Sequence, residues 1–202
     1  MMPNRQRGIS LTQFTNAYVP FALLIVLALL LPETTPNLDR YRTIFTIWAT
    51  TVLLIPALCL YPFSDGSDAV HNYWHLLWTF SYLAFLFHFY WAVFVIFKGV
   101  QGTFVGQGPL IATINFVLTA WWGTDIALSW FVASCPTWVR WERAGAHLFV
   151  FLIFSVTTLV LRPTPVTRVL GLGLTIAVAA SFAIWLIVRD SAPAAAELPE
   201  AK

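Results

Sequence analysis

Six apolar stretches, each long enough to cross a bilayer as a helix, dominate this chain. They run from about Phe14 to Pro32, Thr43 to Phe63, Asn72 to Phe97, Pro109 to Ser134, Ala144 to Leu161 and Val169 to Val188. A spanning helix needs about 20 mostly apolar residues. Backbone groups in hydrocarbon find no water, so helix is the only conformation open to segments of this length. The expected fold class is therefore all-α, a polytopic six-transmembrane-helix bundle. Its expected layout is an N-terminal segment over 1–13, the transmembrane domain over 14–189, and a disordered Ala/Pro/Glu-rich tail over 190–202. The connections are short loops that leave no room for a soluble domain between spans. Pro20 and Pro56 fall within the first two spans and are expected to bend them, a defect that membrane helices tolerate.

Composition agrees with this class. Charged residues make up 10% of the chain, against about 25% in soluble domains. A net charge of +2, scattered along the sequence, gives no basic patch, so no nucleic-acid partner is expected. The expected partners are membrane lipids and other membrane subunits. Two cysteines, Cys59 and Cys135, exclude a disulfide-dense scaffold and any CxxC motif, and read as two unrelated buried thiols. Arg5 and Arg7 precede the first span and no small-residue cleavage site follows it, so that span is expected to be retained. An even number of spans puts both termini on one side. Basic residues divide almost evenly between the two sides, and the N-terminal Arg pair tips the expectation towards cytoplasmic termini in a cell (inner) membrane.

Polar side chains sunk into these spans point to a site. His71 and His75 stand four apart at the start of the third span and share a face that continues through Trp78, Tyr82 and Phe89. On the fourth span Asn115, Trp122, Asp125 and Ser129 form one stripe. On the fifth, Arg140, Arg143 and His147 share a face. Spans three and five enter from the side where span four exits, so these polar faces meet one membrane level and are expected to turn inward. A carboxylate within a span costs about 2.5–3.5 kcal/mol on insertion scales, so Asp125 requires a partner or a task.

Two chemistries use such a set. His71, His75 and His147 could bind a divalent metal ion, with Asp125 as fourth ligand or as the group that orients an imidazole. Alternatively, His75 and His147 could be the two axial ligands of a haem b. Asp125 is the candidate catalytic residue in either case, and the expected function is redox or hydrolytic chemistry on a membrane-soluble substrate. The plainer reading stands beside these. Asp125 pairs with Arg140 or Arg143, His147 bonds a neighbouring helix, and His71 and His75 sit in the headgroup layer. The chain is then a non-enzymatic accessory or scaffold subunit of a larger membrane complex. His88 lies deeper and roughly opposite the His71/His75 face, as a packing histidine would.

The segment His71-Asn72-Tyr73-Trp74-His75 resembles the His-x-x-Trp-His zinc motif of the alkaline ceramidase and adiponectin-receptor hydrolase superfamily. The resemblance implies zinc ligation by His71 and His75. It spans five residues, and it opens the third span here, whereas in that family the motif stands on the last.

Overall fold

The computed structural model describes residues 8–132, 136–161 and 164–191. Cys135 and the tail from 192 onwards, including most of the segment expected to be disordered, lie outside these. Among the described residues the fold is all helical: α1 (Leu11–Leu30), α2 (Leu38–Leu60), α3 (Asp68–Tyr90), α4 (Val100–Gln107), α5 (Pro109–Phe131), α6 (Thr137–Val156) and α7 (Pro165–Ser191). Six of the helices, all but α4, are long and apolar enough to cross a membrane, the architecture of a multi-pass membrane protein.

Local chemistry sets the helix ends. Ser10 opens α1 with a reciprocal cap, its hydroxyl accepting Gln13 N–H at 3.2 Å while the Gln13 side chain accepts Ser10 N–H at 3.0 Å. Ser67 caps α3 by accepting Val70 N–H at 3.3 Å. The helices run on through Pro20 and Pro56. The last turns of α3 and α6 pass into π-type hydrogen bonding at Trp91–Ile96 and Thr157–Leu161.

The segment between the third and fourth spans, expected as a loop, folds as α4. After the π turn, Lys98 (φ 59°) and Gly99 (φ 118°) reverse the chain, and Gly99 N–H closes on Val93 O at 2.8 Å. The helix then folds back so tightly that a Cβ on Gly102 would collide with the Phe97 carbonyl. Every span but α5 also starts earlier than its hydropathy suggests, α1 at Leu11, α2 at Leu38 and α7 at Pro165 among them. α3 begins at Asp68 rather than near Asn72, and α6 begins at Thr137 rather than near Ala144, which brings Arg140, Glu142 and Arg143 inside the helix. The fourth span ends at Phe131, short of the expected Ser134.

α2 and α3 form the most intimate pair, with α1 laid across both, α7 against α2, and α5 bridging α3 and α6. Lipid tails are as apolar as leucine, so close packing and satisfied polar groups must hold such a bundle together. α2 supplies small polar residues for this. Thr46, Thr50 and Thr51 are buried, and their hydroxyls donate to the carbonyls of Arg42, Thr46 and Ile47 at 2.7, 2.9 and 2.8 Å, so each of these three hydroxyls is satisfied within its own helix. α7 is pinned to α2 where Ser181 Oγ donates to the Cys59 carbonyl at 2.6 Å. The centre is filled by Trp74, Trp78 and Trp122, each fully buried.

Candidate functional site

The polar groups of α3, α5 and α6 do converge, and Asp125 is the hub. It stands six residues before the end of α5, ~9 Å in at a helical rise of about 1.5 Å per residue, and its side chain is 0% exposed. One carboxylate oxygen accepts the Trp78 indole N–H at 2.7 Å, and the other accepts Arg143 Nε at 3.1 Å. Of the two arginines expected as partners, Arg143 is the one that pairs; Arg140, on the same helix, is exposed. The Arg143 guanidinium also lies over the Trp74 ring, 5.1 Å from its centroid. There the face of the indole adds a second attraction for the cation.

His147 lies deeper in α6 than expected, ten residues from its start, or ~15 Å by the same rise. Its Nδ1 is 2.8 Å from the Arg143 carbonyl, and its Nε2 accepts the Trp74 indole N–H at 3.0 Å. A carbonyl only accepts and an indole only donates, so His147 is the neutral tautomer protonated on Nδ1. Its ring stacks on Tyr61 at 3.9 Å and on Trp78 at 3.8 Å. Two near-parallel rings that close occupy opposite faces, so the imidazole is held on every side.

His75 is buried and takes the opposite tautomer. Its Nε2 is 2.9 Å from Ser129 Oγ, whose single proton goes to the Ile126 carbonyl at 2.7 Å. Ser129 must therefore accept, and His75 Nε2 carries a hydrogen. Trp130 packs on this imidazole at 4.2 Å.

The three histidines thus meet around one indole and not around one point. Their ring centroids lie 5.3 Å (His71), 5.9 Å (His75) and 5.6 Å (His147) from that of Trp74. Among the described residues no group of three or more His, Cys, Asp or Glu is placed to hold a metal ion. The Nε2 atoms of both expected haem ligands are engaged, one as an acceptor and one as a donor. The pair His71 and His75, aligned with the zinc motif, have ring centroids 6.1 Å apart.

Other expected groups lie elsewhere. Asn115 donates to Gln107 Oε1 at 2.9 Å, turning from the stripe towards α4. His88 Nδ1 donates to the Thr43 carbonyl at 2.8 Å, joining α3 to α2 as a packing histidine does. Cys59 is a free, half-buried thiol.

Sequence reasoning missed two members of the network. Glu142 Oε1 accepts the Trp121 indole N–H at 3.0 Å, and its carboxyl group also lies within hydrogen-bonding reach of Asp125. Tyr61 covers one face of His147 from the end of α2. The available signals were the side-by-side pair Glu142-Arg143, once α6 was extended to include it, and the Trp74/Trp78 spacing of four, which aims two indole donors the same way. No known protein family matches the chain, and no similarity to a curated protein or to a solved structure is found.

Proposed function

We propose that the chain is a non-enzymatic accessory subunit of a larger membrane assembly, in which the Asp125 network fixes the relative positions of α3, α5 and α6. One observation carries this reading: the polar atoms of Asp125, Arg143 and His147 that meet at the centre are bonded within the bundle. Asp125 binds Trp78 and Arg143, both ring nitrogens of His147 are bonded, and His75 donates to Ser129. A catalytic or ligand-binding centre keeps convergent polar groups open towards a cavity. A groove of about 810 Å³ does open between α3 and α5, floored by Ala120, Gly123, Thr124 and Ala127, but Asp125, His75 and His147 do not line it. Buried polar networks of this kind set helix register and orientation. A subunit that presents apolar faces to neighbours needs that rigidity more than it needs an open site.

The test is an absorption spectrum and metal analysis of the protein purified from its native membrane. The expected result is no Soret band and no stoichiometric metal. A haem spectrum, or one metal per chain lost on replacing His75 or His147, would overturn the proposal in favour of a redox or hydrolytic centre.

A further inference from the structure

Counting charges within the network leaves one too many. Asp125 is fully buried, and among the described residues its ion-pair partner is Arg143. Glu142 brings a second carboxyl group to the same place. Among the described residues no second ion pair is formed with Asp125 or Glu142. From α3, Trp74 and Trp78 are neutral donors. From α2, Tyr61 covers His147. From α6, His147 is held neutral by its two hydrogen bonds, and Arg140 is exposed. Also on α3, His71 and His75 pack against Trp74, with the His75 ring turned to Ser129 and Trp130. Two ionised carboxylates against one guanidinium would leave a net negative charge in an apolar bundle, which is costly.

A second observation points the same way. Glu142 Oε1 takes the Trp121 N–H, but Oε2 is sealed from solvent and has no hydrogen-bond donor facing it. An ionised carboxylate can only accept, so that oxygen would be buried and unsatisfied. A protonated carboxyl gains a donor, and the Asp125 carboxylate beside it has lone pairs to spare after binding Trp78 and Arg143.

We propose that Asp125 and Glu142 bind one proton between them, with Arg143 neutralising the single charge that remains. The site is a proton-binding site at the α5–α6 contact: the O–H of one carboxyl donates to the other, and Trp78 and Trp121 fix the two outer oxygens. This assignment is independent of the subunit reading and stands or falls apart from it.

The test is infrared spectroscopy of the full chain in lipid nanodiscs at neutral pH, reading the C=O stretch of a protonated carboxylic acid. The wild-type protein is expected to show that band. Glu142→Gln should abolish it while preserving the fold, because glutamine can accept from Trp121 and donate to Asp125 as the protonated acid does. Asp125→Asn should abolish it too, since the one remaining carboxylate then pairs with Arg143 and ionises. Absence of the band in wild type would overturn the proposal without recourse to any variant. Persistence of the band in Glu142→Gln would assign the proton elsewhere and overturn it as well. Retention in a folded Asp125→Asn would show an isolated acid and not a shared proton, with the same consequence.

Discussion

The indole N–H of Trp74 points at Nε2 of His147 across 3.0 Å, and that one hydrogen bond decides how the histidine can be used. The lone pair that would meet a metal or a haem iron is already committed, and the opposite nitrogen is held by the carbonyl one turn earlier in α6. The contact joins α3 to α6 deep in the bundle, between two residues that are both buried. Trp74→Phe should therefore strand a buried acceptor and cost about 1–3 kcal/mol. Trp130→Phe, at a half-exposed indole bonded to Thr79 Oγ1, should cost clearly less. Thermal unfolding of the two variants in detergent compares them directly. Equal stability of Trp74→Phe and wild type would mean that the bond orients nothing.

The Asp125–Arg143 pair should behave as a coupled unit. Arg143→Met leaves a carboxylate at a fully buried position without its cation, a loss of about 3–5 kcal/mol for a buried pair. Asp125→Asn should cost more than Ser129→Ala, which removes only one acceptor from His75. The double variant at 125 and 143 should be milder than the sum of the single ones, with a coupling of about 0.5–3 kcal/mol. Additive effects in such a cycle would show that the 3.1 Å contact carries no stability.

Much of this fold was legible in the sequence because spanning segments announce themselves by length and hydropathy alone. All six appear where apolar runs place them. What escaped were elements that violate that rule for a physical reason. Arg140, Glu142 and Arg143 lower the local hydropathy of α6 and hid its first two turns, yet Glu142 and Arg143 are inside because partners on α5 receive them. α4 contains Gly102 and Gly106, which argue against helix in isolation; both are needed because Phe97 folds over that helix. The candidate site was half legible. Helical spacing put His75, Asp125 and His147 on inward faces at one membrane level, and all three are buried. Spacing along single helices says nothing of what stands between them, and Trp74 and Trp78 occupy that space.

Topology is open to a direct check. If all six helices span, both termini are predicted on the same side of the membrane as the loop between α2 and α3 and the loop between α5 and α6. The N-terminal Arg pair predicts that this side is the cytoplasmic one by the positive-inside tendency. Tags at the two ends should respond alike to a membrane-impermeant reagent in sealed vesicles, both protected in right-side-out cells. Opposite responses would mean that one of the six helices does not span.

As proposed above, the bundle serves as a rigid piece of a larger membrane assembly. Native mass spectrometry of the tagged chain, extracted gently from its own membrane, reads both alternatives in one spectrum. The predicted result is a complex in which the chain, at its unmodified mass of 22.7 kDa with no metal or haem attached, is released from a stoichiometric second membrane protein. A lone chain that carries the mass of a haem or a metal ion would contradict the account.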